Sequence, residues 1–234
     1  METGEVTALT DAVEGVFVSN LQWSGDGSQV AFDRLTTGPD WRHEVVAVRM
    51  DGSDERTLLR LSDRQDGGFA WSSDGQELLV PTSQHSLTFG ETPGPVEDAP
   101  EEELWVYTLE SSEHEVVPTP HDYINAVSWS PDGRLVAMRA TTTEPEESGT
   151  ERLYVFDLES GTTTAVDRRR GGPTGLTWSG PYLLYVYMVW GPGQVEDHQF
   201  MRWDSRRQER EQVDRPGFSN EQGTYTDISA PRCS

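Results

Sequence analysis

Lysine is absent from this chain. All 18 basic residues are Arg, and they stand against 41 Asp and Glu, for a net charge of -23 and a pI near 4.4. Neutralising phosphates takes a basic surface, so this balance excludes a general nucleic-acid binder and speaks against an anionic-membrane binder. Cysteine is nearly absent too. Cys233 is the only one, which excludes an intramolecular disulfide and a cysteine metal cluster. Long apolar runs are missing: "YLLYVYMVW" at 182–190, the most apolar stretch, has nine residues, the length of a buried strand, and no membrane insertion is expected. The opening "METGEVTALTD" has neither a basic n-region nor an apolar h-region. A cytoplasmic location is therefore the expectation as encoded, and an extracytoplasmic one if the N-terminus is truncated.

Enzyme machinery is also lacking at the level of motifs. The chain contains no Gly-x-Ser-x-Gly elbow, His-Glu-x-x-His zinc motif, phosphate loop or dinucleotide fingerprint. Five histidines, at 43, 85, 114, 121 and 198, show no metal-ligand spacing. "DGSDE" at 51–55 lacks the length and the later Glu of a calcium loop. No cofactor and no metal is expected.

What is present indicates a folded chain. Eight Trp, seven Tyr and seven Phe in 234 residues rule against plain disorder, although mean hydropathy is low at -0.65. Acidic surplus without Lys matches the composition of proteins from extreme halophiles. In molar salt the Debye length is only about 3 Å, so the self-repulsion of such a surface is screened. Arg codons replacing Lys codons in a GC-rich genome are the alternative source of the same composition.

The chain repeats itself. A strand ending in Trp-Ser recurs at Trp23, Trp71, Trp129 and Trp178, with spacings of 48, 58 and 49 residues. A second strand follows each Trp after 22, 33, 24 and 22 residues: "VVAVRMDGSDERTLL", "LWVYTLESSEHEVV", "LYVFDLESGTTTAV" and "FMRWDSRRQEREQV". The one long interval holds "HSLTFGETPGPVEDAPEEE" at 85–103. Alternation is of period two. In "RLYVFDLES", Leu153 and Val155 face one way and Tyr154, Phe156 and Leu158 the other, so the sheet is covered on both faces. With 14 Pro and 22 Gly and no helical periodicity, each unit reads as strand, tight turn, strand, longer loop, strand, tight turn, strand. Four-stranded units at this period predict an all-β fold, a β-propeller of four-stranded antiparallel blades.

"WSPDGRLVA" followed by "LYVFDLESG" resembles the TolB-type, WD-like propeller repeat, whose consensus is Trp-Ser-Pro-Asp-Gly before an apolar strand. The resemblance covers roughly residues 1–213, is strongest in the third unit and weakest in the fourth. There "WSGPYLL" lacks the Asp-Gly, and a different, shorter turn is expected. "HDYINAVSWSPDG" and "VFD" are also similar to true WD repeats, with His121 and Asp157 in their polar positions. The position of Asp157 reads Arg49, Thr108 and Asp204 in the other units, so the full WD-type hydrogen-bond network is not expected. The expected organisation is one propeller domain over 1–234: an outer strand at 4–10, blades near 17–60, 66–118, 123–167 and 174–214, and a tail at 215–234. The partial strands at both ends suggest a compact ring, closed or nearly closed, with a shared blade; a truncated relative that closes poorly is the alternative.

Asp26, Gly27, Asp74, Gly75, Asp132 and Gly133 are read as hairpin corners, with Gly supplying positive φ and Asp capping neighbouring amides. A metal ring of the three Asp is the rejected alternative, because equivalent turns on separate blades lie far apart. Trp23, Trp71, Trp129 and Trp178 are read as packing between blades. Candidate binding residues are His121 and Asp122, just before an inner strand, and Arg168, Arg169 and Arg170 in "DRRRGG", suited to a phosphate or carboxylate. The acidic run at 91–103 is read as a solvated loop or a dock for a basic partner. The functional expectation is a non-catalytic scaffold that binds a protein or peptide. An enzyme of the lyase or glycosidase kind, with its site in the propeller channel, and a remnant without activity are the alternatives.

Overall fold

The structure, a computed structural model, describes residues 8–11, 13–38, 42–61, 68–82, 103–111, 113–142, 151–169, 172–192 and 194–213. These hold sixteen strands and no helix, in four antiparallel sheets of four, each formed by consecutive strands. Blade 1 comprises β1 (Val16–Trp23), β2 (Gln29–Thr36), β3 (Arg42–Arg49) and β4 (Arg56–Leu61). Blade 2 comprises β5 (Ala70–Trp71), β6 (Glu77–Thr82), β7 (Glu103–Thr108) and β8 (Glu113–Val117). Blade 3 comprises β9 (His121–Trp129), β10 (Leu135–Thr142), β11 (Arg152–Asp157) and β12 (Thr162–Asp167). Blade 4 comprises β13 (Pro173–Ser179), β14 (Tyr182–Gly191), β15 (Gln194–Asp204) and β16 (Glu209–Gln212). The expected outer strand at the N-terminus lies mostly outside the described residues, as do the acidic run and the tail.

The repeated Trp-Ser-x-Asp-Gly motif makes the same turn three times. Ser24, Ser72 and Ser130 each donate Oγ to the Asp two residues on, at 2.7, 2.7 and 2.6 Å. That Asp Oδ1 then accepts the backbone N–H of Ser28, Gln76 or Arg134, and the serine Oγ accepts the N–H opening the next strand. Gly27, Gly75 and Gly133 take φ of 70, 70 and 74°, a region that costs L-residues about 1 kcal/mol. The fourth unit turns differently. Ser179 pairs directly with Tyr182 across Gly180-Pro181, the shorter turn expected from "WSGPYLL".

Side chains alternate between the two joints that each middle blade makes. Leu78 and Val80 of β6 pack toward Ala31, Val45 and Ala47 of blade 1, whereas Leu79 packs toward Val136 and Met138 of blade 3. On β10, Val136 and Met138 face blade 2, and Ala137 joins Leu153 and Val155 against Trp178, Leu183, Tyr185 and Trp203 of blade 4. Each fully buried aliphatic side chain contributes about 1.5–3 kcal/mol, so the three joints carry the fold. The other face of blade 1 buries Phe32, Val46 and Val48, against which Leu9 packs.

Candidate functional site

The inner strands bring chemistry together at the junction of blades 1, 2 and 3. β1 carries a bulge between Ser19 and Gln22, where Asn20 adopts a φ of 50° and turns its side chain inward. Gly68 precedes β5 with a φ of 71°, and a Cβ there would lie 2.8 Å from Asn20 Nδ2. Only glycine therefore lets the two segments meet undistorted. Gln22 Nε2 donates to Asn20 Oδ1 at 3.1 Å and to the Phe69 carbonyl, tying the bulge to blade 2.

This junction encloses a cavity of about 240 Å³, lined by Ser19, Asn20 and Asp33 of blade 1, Gly68 and Phe69 of blade 2, and Asn125 of blade 3 among others. Asp33 sits opposite Ser19 in register and is only 6% exposed. Its Oδ1 is buried and accepts no hydrogen bond among the described residues; His43 Nε2 is 3.7 Å away, beyond hydrogen-bond length. Asn20 Nδ2 is likewise buried without an acceptor among them. Asn125 is committed, donating to Glu151 and accepting from Arg139 Nε, while Arg139 also pairs with Glu151 at 3.5 Å. The basic group nearest to Asn125 is thus already matched by an acid.

Beside the cavity, the surface of β1 is apolar. Phe17 is 61% exposed, on the same sheet face as Ser19 and Asp33, and Val18, Leu21 and Trp23 are exposed with it. Trp23 is the exception among the repeated tryptophans. It is 56% exposed, whereas Trp71 and Trp178 are each 7% exposed within the blade joints and Trp129 packs partly buried against the joint of blades 2 and 3.

The sequence-predicted candidates lie elsewhere. His121 is buried, with Nδ1 3.3 Å from the Thr141 carbonyl and its ring 4.1 Å from that of Tyr154. The side chain of Asp122, and Arg170, lie outside the described residues. Arg168 is exposed. Arg169 turns back onto its own sequence neighbour, with Nη2 2.6 Å from Asp167 Oδ2, and stacks 3.7 Å over the Tyr187 ring. Arg210 reaches Asp167 Oδ1 at 2.5 Å and the Tyr185 hydroxyl donates to Oδ2 at 3.1 Å. Burial pushes the Asp167 carboxyl up, but the Arg169 hydrogen bonds and the two guanidinium charges outweigh it and hold the group below the usual carboxylate range. Burial also pushes the Tyr185 hydroxyl up, which keeps it a donor. The carboxylate expected of a ligand for "DRRRGG" is, for Arg169, supplied internally.

A second cleft, of about 570 Å³, opens between blades 3 and 4 on the side of the turns, lined by Asp132, Arg134, Asp157, Trp178 and Trp203 among others. Its acids are occupied. Asp132 caps its own turn, and Asp157 caps Glu159 and Ser160 and receives Arg134 at 2.6 Å. Asp26, Asp74 and Asp132 each serve a separate turn, and among the described residues no three His, Cys, Asp or Glu gather as a metal site.

No family model and no curated relative matches the chain. Solved structures do. TolB from Acinetobacter baumannii superposes with a TM-score of 0.58 at 14% identity, covering 83% of this chain and 43% of that one. A puromycin hydrolase gives 0.56 at 19% identity, with 85% and 29% covered. An oligogalacturonate lyase from Vibrio parahaemolyticus gives 0.54 at 16% identity, with 88% and 54% covered. The chain thus spans under half the length of that TolB. At these identities the likeness concerns architecture, and the chain has the fold of the TolB-type β-propellers.

Proposed function

We propose that this chain is a non-catalytic β-propeller module that binds a protein or peptide along the inner strand of blade 1. The observation that carries this reading is the exposure of large apolar side chains along β1, the end strand of its sheet, with Phe17 on the face of Ser19 and Asp33 and Val18 and Trp23 on the opposite face. Clustered exposed apolar side chains of this size mark interaction surfaces, and Trp is enriched among residues that dominate binding energy. The polar cavity opens on the sheet face that carries Phe17 and supplies specificity next to that apolar anchor.

Selection of random peptides displayed on phage, in high salt, tests it. Enriched sequences are expected with the wild-type chain, and the double variant Leu21→Ser, Trp23→Ala is expected to bind them at least about tenfold more weakly, as for loss of a central aromatic anchor. Enrichment that ignores this substitution, or no enrichment, overturns the reading. A catalytic alternative rests on Asp33, which lines the cavity, with His43 Nε2 3.7 Å from its carboxylate, and on a hydrolase and a lyase among proteins of similar fold. It predicts turnover of an oligosaccharide or peptide that Asp33→Asn and His43→Gln both abolish.

A further inference from the structure

The cavity at the junction of blades 1, 2 and 3 holds a carboxylate oxygen without a hydrogen-bond partner among the described residues. Asp33 is more than nine-tenths buried and lines the cavity, and its Oδ1 accepts no hydrogen bond among the described residues. A carboxylate so placed is costly to keep unpaired, and buried charges are paired as a rule. The described cations around it are matched elsewhere. Arg34, the next residue on β2, pairs with Glu44 and Glu55 at 3.0 and 2.6 Å. Arg139, behind Asn125, pairs with Glu151. His43 approaches from β3 but stops at 3.7 Å.

The rest of the lining fits a donor-rich, cationic guest. Ser19 offers a hydroxyl acceptor beside the Asp33 carboxylate. Gly68, at a φ of 71°, adds no side chain to the lining, and a Cβ there would displace the Asn20 amide. The volume of about 240 Å³ admits the end of a side chain.

We infer that this cavity is a subsite for a cationic side-chain group, guanidinium or ammonium, with Asp33 as its counter-ion. The inference rests on the peptide-binding reading, in which the rest of the ligand follows the edge of β1 past Phe17. A basic ligand also suits a chain of net charge -23, whose field draws cations in.

The probes are N-acetyl-arginine amide, N-acetyl-lysine amide and the neutral isostere N-acetyl-citrulline amide, titrated by calorimetry at low salt. One of the cations is expected to bind at least about tenfold more tightly than citrulline, the difference a charge-assisted bond makes. Which cation binds more tightly tells guanidinium from ammonium. Asp33→Asn is expected to remove the difference while circular dichroism stays unchanged. Ser19→Arg, which places a guanidinium opposite Asp33, is expected to block the cationic probes. Equal binding of citrulline and the cations, or discrimination that survives both substitutions, overturns the inference. Small probes do not reach Trp23, so Trp23→Ala leaves them unaffected. Loss of selected peptides with Trp23→Ala but not with Asp33→Asn would uphold the peptide reading and overturn the cation subsite alone.

Discussion

The indole Nε1 of Trp178 donates to the carbonyl of Ser128 at 3.1 Å, fastening the first strand of blade 4 to the first strand of blade 3. Trp178 also meets Trp203 edge-on at 6.3 Å within the joint. The same motif position in blade 1, Trp23, stays exposed. One repeated residue therefore has two roles, set by whether a blade lies against it.

Replacing each tryptophan separates those roles. Trp178→Phe removes the bond to Ser128 and is expected to cost about 1–2 kcal/mol, and Trp178→Ala about 3–5 kcal/mol. Trp23→Ala is expected within about 0.5 kcal/mol of wild type, as for exposed sites. Urea unfolding followed by fluorescence measures all three, and a Trp23→Ala loss as large as that at Trp178 would contradict the assignment.

Gly25 fills the variable place of its motif, where the other units have Ser73 and Pro131. A Cβ at Gly25 would lie 1.8 Å from the Ser73 carbonyl oxygen, so the turns of blades 1 and 2 touch through backbone there. Gly25→Ala is expected to destabilise by about 1–3 kcal/mol, an overpacking cost. Gly133→Ala meets nothing within 4 Å and bears only the strain of its positive φ, about 1 kcal/mol. The order of the two in thermal unfolding is the check.

Acid should weaken the fold in a narrow window. Hydrogen bonds from Ser24 and Ser28 hold the Asp26 carboxyl down at about 2, and the corresponding bonds lower Asp74 and Asp132. Asp167 is also lowered. A folded pKa below the unfolded value near 3.9 means stabilisation that is complete above that value and lost as pH falls through the folded one. Unfolding midpoints are expected to be flat from pH 7 to 5 and to fall between about pH 4 and 2. Asp167→Asn leaves Arg169 and Arg210 without their acid, so it is expected to lower the midpoint at pH 7 and to flatten the fall. A midpoint independent of pH down to 2.5 would contradict this.

Salt should act in the opposite direction to acid. With 41 acidic residues against 18 basic ones, repulsion between exposed carboxylates is screened as the Debye length drops from about 10 Å at 0.1 M to about 3 Å near 1 M. Circular dichroism in 0.1 M and 3 M NaCl is expected to show a higher melting midpoint in the latter. Full and equal stability at both would remove the halophile interpretation of the composition.

The features of the fold legible in the sequence are those encoded within a few residues. Ser130, Asp132 and Gly133 make their turn with bonds spanning two to five positions, so the motif carries its own geometry wherever it stands. The strand alternation at Leu153 to Phe156 is local in the same way. Arg169, by contrast, is one of three adjacent basic residues in the sequence, and nothing there marks Asp167 as its partner. Pairing requires the stack on Tyr187 and the approach of Arg210 from β16, 43 positions along the chain from Asp167.

By itself the amino-acid order determined the blade: four strands, their corners and the all-β class, because hairpin chemistry and period-two burial act over short stretches, whereas the burial of each repeated tryptophan depends on its neighbouring blade. Tertiary structure alone decided the site. Ser19, Asp33, Gly68 and Asn125 share no motif and no spacing, and they meet because three blades converge on one junction. Asp33 looks like any residue of an acidic chain until neighbouring strands bury it and leave its oxygen without a hydrogen bond among the described residues. Burial and pairing are properties of what surrounds a side chain, and in this chain those surroundings come from blades more than a hundred residues apart.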